Sequence, residues 1–510
     1  MALIRLYLRR SAVLFFVGFI AATAAAQSFS PYQYGLGDAA DPTEVYRVLL
    51  RTHKAADSCG GSVSYKGIDT LRIEIPSDGE SIPLQADNDF GGLVLMVTNK
   101  AKGLFLFSHT PSAHVIPVDD TLALCRAIDS GDFRTIPLLQ EGDWLLHIVD
   151  STPWVDQRKG YKYGHYREDI LRIHDGFSAD RPAMPYGDGE SRPYIFARRL
   201  DSASLTPLTF SNITFLRDNA STCATYLLKL ENLPAATLRN IVVVTPHSGV
   251  LAINDAIIRV YNSTNVELDS ISLWGTYSRA NHSGYGLLLG NLRDTHVRRL
   301  KSVSEWGIFG TNNMINTYIE YSDFNRFDIH CYGRDVAFDH CLQMNGYNQF
   351  SSVYGTISFR SCTFSNFTPV LIEDSYNAPT HFLLSMDSCH WWPTTRHHTL
   401  FKGGSIDGRL NSRKELQVPA LPDFDIHQLE IHTNKGIRKV ELLLLSGKER
   451  RAHLFGGLGH LVLRDVTISG NADTKIILSN KRVRLLGEAV IETPSGRLGT
   501  TFISDVGIGL

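Results

Sequence analysis

Three fragments decide the fold: "VAFDHCL" (336–342), "ISFRSCT" (357–363) and "LLSMDSCH" (383–390). In each, a large apolar residue stands three places before a cysteine, and a polar residue directly precedes that cysteine. The same frame fits "LTFSNIT" (208–214), "ATLRNIV" (236–242), "VELDSIS" (266–272), "RRLKSVS" (298–304) and "IEYSDFN" (319–325). The anchors are Ile213, Ile241, Ile271, Val303, Phe324, Cys341, Cys362 and Cys389, spaced 17–32 residues apart. Their polar neighbours are Asn212, Asn240, Ser270, Ser302, Asp323, His340, Ser361 and Ser388. "LVLRDVT" (461–467) reads as one more row.

Alternation inside each fragment has period two, which marks strands. The polar residue interrupts the alternation and marks a bend. Short strands recurring at this spacing indicate a solenoid, whose rungs bury their inward side chains only by stacking. Cys341, Cys362 and Cys389 fill the slot that Ile takes in earlier rungs, so they read as small buried core residues. None of the seven cysteines forms a C-x-x-C, and no tight Cys/His spacing points to zinc.

This pattern resembles the right-handed parallel β-helix superfamily typified by pectate and pectin lyases, polygalacturonases and phage tailspikes. The resemblance implies an all-β, right-handed parallel β-helix with a short N-terminal capping helix and a glycan substrate. "DPTEVYRVLLRTHKAADS" (41–58) supplies that helix, with Asp41 as N-cap, Pro42 in the first turn and apolar spacing at Val45, Val48 and Leu49. "DTLRIEIPSDGESIPL" (69–84) reads as the first strands.

The expected organisation is a leader over 1–26, an N-terminal segment with the helix over 27–58, and the β-helix over 59–398. A loop or linker follows over 399–425, then further rungs or a small β cap over 426–510. The leader has Arg5, Arg9 and Arg10 before an apolar run and an A-x-A pattern at Ala24 and Ala26, which predicts export to a periplasm or the outside. The net charge of −2 gives no nucleic-acid footprint, and no later stretch is long and apolar enough for a membrane span. The expected partner is a polysaccharide or oligosaccharide.

The richest polar stretch is "NRFDIHCYGRDVAFDHC" (325–341). Strand alternation places Phe327, Ile329 and Cys331 inward and Asp328, His330 and Tyr332 outward. Neighbouring rungs would add Asn312, Asn313, Arg334, Tyr347, Asn348, Gln349, Tyr354, Glu373, Asp374 and Tyr376, with Tyr285 on a long turn. Tyrosines beside carboxylates, amides and basic groups suit sugar rings, which stack on ring faces and hydrogen-bond through hydroxyls. The catalytic candidates are Asp328, His330, Arg334 and Glu373; the remainder are substrate-binding candidates. In β-elimination, Arg334 would neutralise a uronate, His330 or Tyr332 would take the C5 proton, and a tyrosine would protonate the departing oxygen. In hydrolysis, Asp328 with Glu373 or Asp374 would be the carboxylate pair. No G-H-G of the polygalacturonase type occurs. No metal ligands are assigned, and Ca2+ stays open without a clear motif. A non-catalytic binding or adhesive solenoid is the remaining alternative.

Overall fold

The computed structural model describes residues 27–39, 41–155, 165–183, 185–187, 191–217, 226–245, 256–274, 285–302, 307–311, 313–329, 333–344, 346–350, 353–365, 367–372, 381–396, 398–403, 423–445, 460–471, 473–479 and 489–492. The expected leader lies outside the described residues.

From Thr70 onward the chain winds as a three-sided stack of parallel strands. Sheet A runs through 236–239, 266–269, 295–298, 317–320, 336–339, 357–360, 384–387, 424–427, 461–464 and 489–492. Sheet B follows each of these after a bend, for example 363–365, 390–392, 430–432 and 467–469. Sheet C closes each turn, for example Gly307–Thr311, Phe327–Ile329, Gly346–Phe350, Phe367–Ile372 and Thr399–Gly403.

The A-to-B bend has one mechanism in ten of the described rungs. Asn212, Asn240, Ser270, Arg299, Tyr321, His340, Ser361, Ser388, Gln428 and Asp465 all adopt φ between 49° and 61°. This left-handed step turns the strand and drives the next side chain into the core. Those next residues are Ile213, Ile241, Ile271, Leu300, Ser322, Cys341, Cys362, Cys389, Leu429 and Val466, all buried. The sequence reading therefore needs correction in two rungs, where Leu300 and Ser322 take the slot assigned to Val303 and Phe324. Polarity misled it there, because an arginine and a tyrosine occupy the bend. Both are held from outside: Arg299 Nε donates to Ser270 Oγ at 2.9 Å, and the Tyr321 ring stacks on His340 at 5.1 Å. Burial of a Leu side chain, worth roughly 1.5–3 kcal/mol, outweighs the cost of about 1–2 kcal/mol for a left-handed residue.

Cys341, Cys362 and Cys389 are free thiols at 2%, 0% and 0% exposure. Their Sγ atoms donate weakly to the carbonyls of Ile319, Phe338 and Phe359 at 3.4, 3.5 and 3.4 Å. Beside them Phe338 and Phe359 stack face to face, 4.7 Å between centroids. Helix α1 (Pro42–Cys59) covers the open end of this core with Tyr46, Val48, Leu49 and Ala56. Asp41 caps it by accepting from Glu44 N at 2.9 Å, and Gly60 ends it at φ 61°.

The structure departs from the expected organisation in two places. Between Phe105–His109 and Leu208–Arg217 an insert leaves the solenoid. It holds helix α2 (Thr121–Ser130) and an antiparallel sheet in the order His114–Ile116, Pro193–Leu200, Asp143–Val155, His165–His174. Its own core includes Ile116, Leu124, Ile128, Phe133, Leu146, Leu171 and Tyr186. Its alternating strands look locally like solenoid strands, and pairing direction is not written in a period of two. The second departure lies in the segment read as a loop or linker over 399–425. Thr399–Gly403 is a sheet C strand in register with Phe367–Ile372, and Asp423–His427 opens the next rung in sheet A. Strands through Ala489–Glu492 continue the stack. Among the described residues no helix is long and apolar enough to cross a membrane.

Candidate functional site

Phe327 and Ile329 belong to the stack's core, so the residue between them faces away from it. Asp328 is that residue, in register with Gly310 on the preceding rung and Gln349 on the next. The sequence reading placed it exposed on the outer face. It faces outward but is 0% exposed, because a polar cluster closes over it. Arg326 donates to Asp328 Oδ1 from Nε at 2.8 Å and again from Nη2, and its Nη2 also donates to Gln349 Oε1 at 3.2 Å. Tyr285 donates its hydroxyl to Asp328 Oδ2 at 3.4 Å. The Arg326 guanidinium lies over the Tyr347 ring, 4.8 Å from its centroid. Burial alone would lower the Arg326 pKa, but the charge and hydrogen bonds of Asp328 raise it overall.

The arrangement sorts the candidates by role. Asp328 and Gln349 are buried supports, while Tyr285 and Tyr347 are half-buried, Tyr347 packing against the stack's core. Arg334 is exposed and pairs with Asp335 at 3.3 Å, in register with Tyr354. Burial pushes Tyr354 up to about 12, against the opposing charge of Arg167 from the insert. His330, Glu373, Asn312, Tyr332, Asp374 and Tyr376 lie outside the described residues.

Two binding candidates leave the patch. Asn348 shares the core side with Phe350, where its Oδ1 accepts from Phe327 N at 3.1 Å and its Nδ2 donates to Pro369 O at 2.9 Å. An inward amide that closes backbone valences is structural. Asn313 belongs to a ladder at the C-to-A corner, where Asn262, Asn291 and Asn313 all have positive φ. Asn291 donates to Asn262 Oδ1 at 2.9 Å, and Asn313 donates to Asn291 Oδ1 and to the Glu168 carbonyl of the insert. Arg293 adds two donations to the insert, to Ile170 O at 3.0 Å and Arg181 O at 2.6 Å. The insert is thus pinned to the stack at the C-to-A corner.

Arg326 is the residue that sequence reasoning missed. Its signal was present: it stands two places before Asp328, so a strand puts both on one face.

No protein-family model matches the chain, and none of the curated proteins matches it. Solved structures do match its shape. The tailspike protein gp49 from Pseudomonas phage LKA1 aligns with a TM-score of 0.52 and 15% identity, over 90% of this chain and 82% of that one. The tailspike gp61 of Pseudomonas phage phi297 aligns at 0.49 and 11%, over 88% and 82%. The gp54 tailspike of Acinetobacter baumannii bacteriophage AP22, solved with capsular saccharide, aligns at 0.48 and 13%, over 96% and 77%. Parallel pairing through three sheets, a buried ladder at the described bends and the likeness to gp49 agree on the fold: the chain is a right-handed parallel β-helix.

Proposed function

We propose that this protein is an exported polysaccharide-active β-helix that holds its glycan across the outward side of sheet C, against Tyr285 and Tyr347, and the start of sheet A, against Tyr354. The observation that carries the reading is the Arg326–Asp328 pair. A solenoid's outer side ordinarily carries solvated residues, and burying charges there is costly unless every valence is met. Here the pair is buried, fully engaged and flanked by tyrosines, so it fixes an aromatic surface at a chosen orientation. Fixed aromatic faces with the exposed Arg334 guanidinium match the apolar faces and hydroxyl edges of sugar rings.

Cleavage by β-elimination is the preferred chemistry. Among the described residues of the patch, Asp328 is the carboxylate at its centre, and it is committed to Arg326, which leaves hydrolysis short of a free acid/base pair. Arg334, exposed beside its partner Asp335, would neutralise a uronate, with His330 as base and a tyrosine hydroxyl as acid. Purified protein incubated with acidic and neutral polysaccharides tests this, reading absorbance near ~230–235 nm and reducing ends together. Unsaturated product that vanishes in His330→Ala and falls in Tyr347→Ala supports the reading. Reducing ends without that absorbance, lost in Glu373→Ala, replace it with hydrolysis. Binding without product in every case leaves a recognition solenoid.

A further inference from the structure

On sheet B, far along the stack from the tyrosine patch, two histidines and a glutamate converge. His390 comes from the strand His390–Trp392, and Glu430 and His432 come from Glu430–His432 on the next rung, with His390 directly in register with Glu430. His390 Nδ1 and His432 Nε2 are 3.0 Å apart. Glu430 Oε2 lies 3.3 Å from the first and 3.7 Å from the second. We propose that His390, Glu430 and His432 form a binding site for a borderline divalent cation of the Zn2+ class.

The geometry fits that class of ion. Bonds of about 2.0–2.1 Å to nitrogen or oxygen in a tetrahedral site set neighbouring ligand atoms roughly 3.3 Å apart. The three measured separations fall around this value. Two imidazoles with one carboxylate suit zinc-like ions, whereas Ca2+ and Mg2+ favour all-oxygen sets.

The surroundings orient a ligand as well. His432 Nδ1 lies 2.7 Å from Ser469 Oγ on the following rung. Donation from Nδ1 to that hydroxyl fixes the tautomer whose Nε2 lone pair faces His390 and Glu430, as outer partners of metal-bound histidines do. The Trp392 ring lies flat on His432, 3.9 Å between centroids at 8°, and restricts its tilt. The three side chains are 45%, 38% and 22% exposed, so a fourth position stays open to water or an outside ligand. Beside it opens a depression lined by Ser388, His390, Gln428, Glu430, Asp465 and Thr467. Sequence spacing hides this set, because the two histidines stand 42 residues apart while the rungs bring them together.

The test uses the full chain without a histidine tag, freed of metal by chelation and titrated with Zn2+ by calorimetry and with Co2+ by visible absorption. One Zn2+ per chain and the intense d–d bands of tetrahedral Co2+ are expected. His390→Ala and His432→Ala should each weaken binding by more than the roughly 10–100-fold that losing an outer partner costs, and Ser469→Ala should fall within that range. Glu430→Gln, which keeps size and hydrogen bonding, should weaken binding without changing the metal-free melting temperature. Absence of Zn2+ uptake overturns the proposal, as does uptake unchanged in both histidine variants.

Discussion

Arg326 stands directly before the strand Phe327–Ile329 and Asp328 on its outward side, yet both are buried, at 3% and 0% exposure. Removing one partner strands the other charge away from water. Asp328→Ala should therefore cost about 3–5 kcal/mol in denaturant unfolding. The double variant Arg326→Met with Asp328→Leu should recover most of that loss, because well-packed apolar groups replace a buried pair at little cost. The same double variant should lose glycan binding, since the ring of Tyr347 then lacks the guanidinium over it. Equal destabilisation in single and double variants would mean that the pair holds the fold rather than the patch.

The C-to-A corner joins the insert to the stack through side-chain amides. Asn291→Ala leaves the Asn262 oxygen unmet, worth roughly 1–3 kcal/mol when buried, and leaves Asn313 only its donation to the Glu168 carbonyl. Arg293→Met removes the two donations to Ile170 O and Arg181 O without touching the stack's core. Limited proteolysis should then cut within 110–207 faster than in the parent, while the solenoid resists as before. A parent-like digestion pattern would show that apolar contacts alone hold the insert.

The thiols at the bends give a third expectation. Burial raises the Cys362 pKa well above that of a free thiol, with Cys341 and Cys389 on either side adding to the shift. Thiolate is the reactive form, so these three should resist an aromatic disulfide reagent until the chain unfolds. Cys59 is exposed and should react at once. Cys362→Ser should destabilise more than Cys362→Ala, because a hydroxyl is a stronger polar group to bury. Modification of Cys341, Cys362 or Cys389 in the native state, read by mass spectrometry, would contradict the core ladder.

The solenoid was legible because one residue per rung must enter the core, and burial writes that requirement into the sequence at every turn. Leu300 and Ser322 were misplaced because the bend needs only a left-handed backbone, which Arg299 and Tyr321 also adopt when neighbours hold them. Asp328 was placed on the correct face, but its burial was invisible: accessibility depends on Tyr285 and Tyr347, which come from other rungs. Asn313 and Asn348 looked like surface amides, since an asparagine that satisfies backbone and one that meets a ligand are the same letter. The insert escaped because its strands share the solenoid's alternation and differ only in pairing direction.

Two buried groups, one in the capping helix and one in the insert, should respond to acid with opposite signs. His53 in α1 lies within 2.6 Å of the Tyr65 hydroxyl and 3.1 Å of Pro83 O, and burial lowers its pKa from 6.5 to about 4. The folded state holds it neutral, so its contribution is complete above about 6.5 and is lost as the pH falls towards 4. The loss is of order 3 kcal/mol. Asp169 in the insert accepts from Ala183 N at 3.1 Å and Tyr186 Oη at 3.0 Å, and burial raises its pKa from 3.8 to about 6. It favours the fold in its protonated form, present below about 3.8 and lost as the pH rises through 6. Hydrogen exchange corrected for intrinsic rates should show α1 losing protection between pH 7 and 4.5 and the insert strands gaining it. His53→Gln should abolish the first trend and Asp169→Asn the second. Parallel loss in both regions would mean that general charge repulsion, and not these two groups, governs acid sensitivity.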